Sequence, residues 1–184
     1  YNPSNPSSPL IINKETLKKF AGSRVQVAWT DPAFRFTHAK FMVMDRLRGH
    51  ILTLNLSKSG TTRNREFGVV DTRVEDVKDL QSVFDADWAH KPWASPKSTR
   101  LVVSPVNAET KLAQLISGAQ KTIEVYDEVM YDEATFAALG ERAKAGVHIR
   151  VIMGDPKGIP GNATAAARLK DMGIEARYIA DPVI

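Results

Sequence analysis

The chain has 184 residues, of which 43% are hydrophobic, so it can form one ordinary domain or two small lobes with a packed core. No apolar run approaches the length of a membrane span, and the lack of cysteine excludes disulfides, thiolate chemistry and cysteine-based zinc sites. The net charge of +4 suits a phosphate-bearing partner, but 21 acidic residues are interspersed and there is no long basic tail.

The first half of the chain combines short helical and strand-like patterns. Residues 1–9 are rich in proline and serine and predict a loop, and residues 15–21 predict a short helix. Apolar stretches then predict four strands, the last three of them buried, over 24–29, 36–45, 50–55 and 65–71. Helical spacing of apolar residues predicts a helix over 75–88, and the Pro- and Lys-rich segment 89–100 indicates a boundary.

Beyond residue 100, strands alternate with helices, which favours a layered α/β architecture. The predicted strands are 101–105, 121–129, 147–153 and 174–180. The predicted helices are 108–119, 132–146 and 163–173. Acidic residues open the second of these helices and Gly146 closes it, as expected for helix termini.

Two segments of the chain echo one another. Residues 15–29 and 167–180 both contain a Leu-Lys helix end, a glycine and an apolar strand-like stretch. The first copy leads into His38, whereas the second lies at the end of the chain. The echo predicts the back half of one repeat followed by the front half of another, in residues 1–97 and 98–184.

The chemically distinctive cluster begins at His38 and Lys40. On a strand, residues two apart point to the same face, so the imidazole and the ammonium are expected side by side. An imidazole can act as nucleophile or acid near neutral pH, and a neighbouring ammonium can hold a phosphate. Downstream, Asn55 could donate to a second phosphate oxygen, and Glu66 could orient the imidazole through its other nitrogen.

These residues resemble the motifs of the phospholipase D superfamily. That family carries H-x-K-x-x-x-x-D, a Gly-Ser-x-Asn stretch and an Asn-x-Glu strand. The matching stretches are H-A-K-F-M-V-M-D (38–45), L-T-L-N-L-S (52–57) and R-N-R-E-F-G-V-V (63–70), with weaker likeness at 84–88 and 124–153. The resemblance implies a phospholipase D-like layered sandwich, with a mixed β-sheet flanked by helices and parts of two repeats.

The resemblance also implies a role for each residue of the cluster. His38 would attack phosphorus and form a phosphohistidine, or would protonate the leaving oxygen. Lys40 and Asn55 would hold the phosphate, Glu66 would orient His38, and Asp45 would be a supporting residue. Neither a metal nor another cofactor is expected.

Two departures from the family pattern shape the expected function. Leu52-Thr53 replaces the family's Gly-Ser, and the chain has one H-x-K motif where the family builds a site from two. A second half-site is therefore expected from the remainder of a longer protein or from another chain. Phospholipid is the first expected substrate, with a peripheral membrane surface as a partner and a secreted or periplasmic location as the working expectation.

Other interpretations stay open. The pI near 9.3, together with Arg63 and Arg65, would suit a nuclease of the same superfamily, and a non-catalytic phosphate- or anionic-lipid-binding module is the alternative of another class. His38 could instead be a satisfied core histidine, and the two arginines could lie in a solvated turn. The remaining histidines and the acids near residue 130 are expected to be structural, with Glu128 the one that could approach the site.

Overall fold

The computed structural model describes residues 9–34 and 37–179, which divide into two compact units. The first unit covers the described residues up to Asn55 together with Glu66–Pro96. The second unit comprises Leu56–Arg65 and the described residues from Lys97 onward. Within the described part of the chain, no helix combines the length and apolar character needed to cross a membrane.

The first unit is an antiparallel sheet packed on a helix. Its elements are α1 (Pro9–Phe20), β1 (Phe41–Met44), β2 (Arg48–Leu52), β3 (Gly68–Asp71) and α3 (Val74–Trp88). The strand order is β1-β2-β3, and each strand pairs antiparallel with its neighbour. The β1–β2 hairpin turns through two residues with positive φ, which matches the right-handed twist of the flanking strands.

The contact between α3 and the sheet is closest at Gly49. A Cβ atom at this position would lie 2.5 Å from Leu80 Cδ1, so only glycine lets the helix approach the strand so closely. Nearby, the ring of Phe41 meets the ring of Phe84 edge-on, with centroids 6.4 Å apart. The helix therefore covers one face of β1 and β2.

The second unit is a parallel sheet flanked by helices. Its elements are α2 (Lys58–Thr62), α4 (Ala108–Ser117), β4 (Thr122–Asp127), α5 (Glu133–Lys144), β5 (His148–Gly154), α6 (Gly161–Asp171) and β6 (Glu175–Ile179). The strands pair in parallel in the order β4-β5-β6. Alternate residues of β5 (Ile149, Val151 and Met153) are buried against a core that includes Leu139 and Leu169.

The α/β class is confirmed, but the two strand directions lie in separate sheets rather than being mixed in one. The connections differ between the two sheets. A tight turn joins β1 to β2 and residues 53–67, which contain α2, join β2 to β3, whereas the helical crossovers through α5 and α6 return the chain in parallel. The predicted burial of the first unit's strands is wrong in part, because α3 covers one face and leaves Val70, for example, 61% exposed.

Two predicted strands are absent from the described structure. Residues 24–29 form no strand in the described structure, and Trp29 C=O accepts a hydrogen bond from His90 Nε2 at 2.9 Å. Residues 101–105 form local hydrogen bonds instead, several of them with Asn107. Asn107 Oδ1 accepts from Val103 N–H at 2.8 Å and Asn107 Nδ2 donates to Leu101 C=O at 3.3 Å, so local bonds replace a ladder.

The other boundaries differ from the predictions by a few residues. The predicted strands 36–45, 50–55 and 65–71 shrink to β1, β2 and β3, and residues 35 and 36 lie outside the described range. The predicted helix 15–21 begins earlier, at Pro9, and most of the expected N-terminal loop also lies outside the described residues. The short helix α2 was not predicted; the Ser57 hydroxyl caps it by accepting from Gly60 N–H at 3.2 Å.

Candidate active site

The residues of the predicted cluster gather at one end of the first sheet. Because the sheet is antiparallel, the start of β1, the end of β2 and the start of β3 lie at the same end. Two backbone hydrogen bonds extend the ladders there: Leu52 N–H donates to Lys40 C=O at 2.8 Å, and Thr53 N–H donates to Phe67 C=O at 2.9 Å. Residues 38–40, 53–55 and 66–67 are thus held near one another by backbone pairing.

The side chains of His38 and Lys40 are in direct contact. Lys40 Nζ lies 2.9 Å from His38 Nδ1 and 3.1 Å from His38 Nε2. A neutral imidazole has one lone-pair nitrogen, so only one of these contacts is a hydrogen bond at a given moment. The imidazole is exposed to solvent, which is the arrangement that a nucleophile or acid acting on a bound ligand requires.

The Glu66 carboxylate is bound by a threonine. Thr53 Oγ1 donates to Glu66 Oε2 at 2.6 Å and accepts from Phe67 N–H at 2.9 Å. Glu66 is half-buried and lies two residues before β3 begins, whereas the sequence predicted it within the start of a strand over 65–71. Sequence analysis did not assign Thr53 to the site; the available signal was its position where the family carries serine.

Asn55 lies just beyond the strand on which the sequence placed it. β2 ends at Leu52, so both Thr53 and Asn55 occupy the bend that follows, and the Asn55 side chain is exposed. Arg63 and Arg65, the candidate anion-binding arginines, belong to the segment grouped with the second unit.

Asp45 is separated from the rest of the cluster. It lies in the β1–β2 turn with a φ of 55°, at the opposite end of β1 from Lys40. Five residues of extended chain place it on the order of 15 Å away along the strand. Asp45 therefore supports the hairpin turn, a conformation that aspartate tolerates better than most residues, and takes no part in the His38–Lys40 contact.

The acids near residue 130 have structural partners. Asp132 caps α5 by accepting from Thr135 N–H and from the Thr135 hydroxyl, both at 2.7 Å, and these bonds lower the pKa of Asp132. Glu133 forms a two-point ion pair with Arg168 at 2.6 Å. Burial raises the pKa of Asp127, against the hydrogen bonds from the backbone N–H groups of Val129 and Glu128.

The described residues contain no candidate metal cluster, and a surface recess lies on the second sheet rather than beside His38. Among residues 9–34 and 37–179, no three histidine, aspartate or glutamate side chains come close enough together to hold a metal ion. A recess of about 370 Å³ occupies the uncovered face of the second sheet. Its lining consists largely of ion pairs between strands, such as Arg150 with Glu124, which are typical of a solvated sheet face.

Comparisons with known proteins agree with this geometry. The family described as cardiolipin synthase, PLD-like domain, matches residues 2–88, which include the whole cluster. No curated protein matches the chain. A crystal structure of polyphosphate kinase from Porphyromonas gingivalis has the same fold, with a TM-score of 0.61 over 78% of this chain at 17% sequence identity. The chain spans 26% of that structure's length.

The family match covers the H-x-K motif, whereas the likeness to the solved structure extends over 78% of the chain and concerns the fold alone. Residues 2–88 of the chain match the PLD-like domain of the phospholipase D superfamily.

Proposed function

We propose that this chain supplies one half-site of a metal-independent phosphodiesterase of phospholipase D type. The observation that carries the proposal is the contact of the His38 ring with the Lys40 ammonium at 2.9 Å, at a solvent-exposed end of the sheet. This pair combines a nucleophilic or acidic nitrogen with a fixed positive charge, which are the two elements that phosphodiester displacement needs.

The reaction proceeds by two displacements at phosphorus. In the first, a ring nitrogen of one histidine forms a bond to phosphorus, the bond to the leaving oxygen breaks, and an acid on the opposite side gives that oxygen a proton. In the second, water or an alcohol attacks phosphorus, the group that acted as the acid takes the proton of the attacking hydroxyl, and the P–N bond breaks. Lys40 and Asn55 bind the non-bridging oxygens, and Glu66 accepts a hydrogen bond from the other ring nitrogen of His38.

A complete site needs a second histidine. One imidazole cannot stand on both sides of phosphorus at the same time, and none of the chain's other histidines is followed two residues later by lysine. The second half-site comes from the remainder of a longer protein or from another chain.

Phospholipid is the proposed substrate class, with hydrolysis or phosphatidyl transfer as the outcome. The matching family is described from cardiolipin synthase, which supports a lipid substrate. A nuclease is the second candidate, favoured by the pI near 9.3 and by Arg63 and Arg65.

The test is an assay of the full-length protein that carries this chain, with EDTA present. The substrates are vesicles of phosphatidylcholine or cardiolipin and, separately, single-stranded DNA. Phospholipid turnover that resists EDTA is expected. Cleavage of DNA alone would select the nuclease, activity abolished by EDTA would exclude the metal-independent mechanism, and binding of vesicles without turnover would favour a non-catalytic module.

A further inference from the structure

The Thr53 hydroxyl joins the end of β2 to the Glu66 carboxylate. A hydroxyl has one hydrogen to donate and two lone pairs to accept with. Phe67 N–H occupies one lone pair at 2.9 Å, and the hydroxyl hydrogen has two possible acceptors, Glu66 Oε2 at 2.6 Å and Phe67 C=O at 3.3 Å. The charged and closer acceptor takes the hydrogen, because charge-assisted bonds are shorter and stronger than neutral ones.

We propose that Thr53 is a positioning residue that holds the Glu66 carboxylate in place for His38. By binding Oε2, the hydroxyl sets the rotation of the carboxylate and, with it, the direction from which Glu66 accepts a hydrogen bond from the imidazole. The inference rests on the proposed function, in which Glu66 orients His38, and adds a residue to it.

The bond from Thr53 reaches Glu66 just before the regular strand. β3 begins at Gly68, two residues after Glu66. Thr53 is held firmly, since its own N–H donates to Phe67 C=O at 2.9 Å while its hydroxyl accepts from Phe67 N–H. A residue anchored twice to the neighbouring segment can transmit that rigidity to the carboxylate that it binds.

A purely structural role is the competing interpretation. In that case the hydroxyl would matter only because it accepts Phe67 N–H and so completes the ladder between β2 and β3. The two interpretations differ in one measurable respect. A positioning residue acts through Glu66, so its contribution to the rate disappears when Glu66 is removed, whereas a structural contribution persists.

The experiment measures kcat and KM of the full-length protein for phospholipid vesicles in EDTA. We expect Thr53→Val, which keeps the shape but removes the hydroxyl, to lower kcat by about 10- to 100-fold with little change in KM, the range for a hydrogen bond to a charged group. Thr53→Ser, which keeps the hydroxyl, should stay within about threefold of the wild type. In the Glu66→Ala background, Thr53→Val should cause no further loss.

Thr135→Val is the matched control, because the Thr135 hydroxyl also donates to a carboxylate, that of Asp132, at 2.7 Å. Its rate should equal that of the wild type, and an equal loss there would overturn the assignment. If the wild type turns over substrate and Thr53→Val has the same kcat, this inference alone is overturned. It is also overturned if Thr53→Val and Glu66→Ala lower kcat independently, so that the double variant shows both losses. A wild-type protein without turnover would overturn the proposed function and this inference together.

Discussion

The two units use their sheets in opposite ways. In the second unit, β5 buries alternate residues in a core where Leu139 and Leu169 are fully enclosed. In the first unit, α3 covers one face of the sheet, and Met42 and Val70 on the other face are 39% and 61% exposed. The predicted reactive groups all lie in this thinly covered unit.

The contrast separates two kinds of residue. Exposed groups at the end of the first sheet contribute little buried area, so their removal should change activity with little effect on folding. Truncation of an enclosed side chain of the second unit should lower stability and have little effect on activity, because a cavity left in a packed core is not refilled. Substitutions in each unit, paired with matched controls, can break or sharpen this division.

The largest effect is expected from His38→Ala. Removing the nucleophile or acid should lower kcat of the full-length protein by at least about 10³-fold, measured on phospholipid vesicles. The unfolding midpoint should not change, because the ring is exposed. His148→Ala is the control: this exposed histidine pairs with Glu175 at 3.1 Å, and its loss should leave the rate within about twofold. An unchanged rate for His38→Ala would disprove the catalytic assignment.

Lys40→Met comes next in size. The methionine keeps much of the side-chain length but loses the charge that stabilises the phosphate in the transition state, so kcat/KM should fall by about 10²- to 10³-fold. Lys144→Met removes an exposed ammonium paired with Glu141 in the second unit, and should not alter kcat/KM. A similar loss in both variants would mean that general charge, rather than the His38 contact, governs the rate.

Leu169→Ala tests the core of the second unit. Leu169 is 0% exposed, so truncation should lower the free energy of unfolding by about 2–5 kcal/mol, measured by denaturant titration. Leu115→Ala is the same substitution at a residue of α4 that is 71% exposed, and should change stability by less than about 0.5 kcal/mol. Equal losses would show that the packing of this unit is not as described.

Gly49→Ala tests the packing of α3 on β2 in the first unit. The added methyl group would meet Leu80 Cδ1 at 2.5 Å, and displacing that side chain should destabilise the unit by about 1–3 kcal/mol. Gly161→Ala is the control, because a Cβ there has no atom within 4 Å. That variant should be neutral or slightly stabilising in the same denaturant titration. A neutral Gly49→Ala would mean that α3 packs loosely on β2.

The smallest effect concerns the pH dependence of stability. Burial raises the pKa of Asp127, so the folded state holds its proton more tightly than the unfolded state does. The stability from this group is complete below the unfolded pKa and is lost as the pH rises through the folded pKa. Asp127→Asn should therefore remove a decline in unfolding free energy that begins near pH 4, measured by denaturant titration at several pH values.

Asp132 should change the stability with pH in the opposite direction from Asp127. Hydrogen bonds from the Thr135 hydroxyl and N–H lower its pKa, so its contribution is present above the unfolded pKa and is lost as the pH falls. Asp132→Asn should therefore weaken the decline in stability toward low pH. If both variants changed the pH dependence of stability in the same direction, one of the two pKa assignments would be contradicted.

The helices with strong local signals were predicted closely. The segment 75–88 corresponds to α3 (Val74–Trp88), and the segment 108–119 to α4 (Ala108–Ser117). Apolar spacing and terminal residues are local properties, so they act in the same way whatever the rest of the chain does.

The two similar segments, residues 15–29 and 167–180, show which features are local and which depend on distant parts of the chain. After α1 and after α6, a glycine follows with nearly the same left-handed backbone, φ 77° at Gly22 and φ 76° at Gly173. The next segments then diverge: β6 pairs with β5, whereas residues 24–29 have no strand beside them in the described structure. Val25 and Trp29 remain 53% and 48% exposed despite their strand-like alternation.

The amino-acid sequence determined the phospholipase D-like motif, the α/β class and the pairing of His38 with Lys40, because a motif and a two-residue spacing are local features. Only the tertiary structure decided that Asp45 lies at the far end of the hairpin and that Thr53 binds Glu66, thirteen residues away. Those relations depend on strand register and on where each ladder ends. Register follows from pairing between distant segments, which no local pattern specifies.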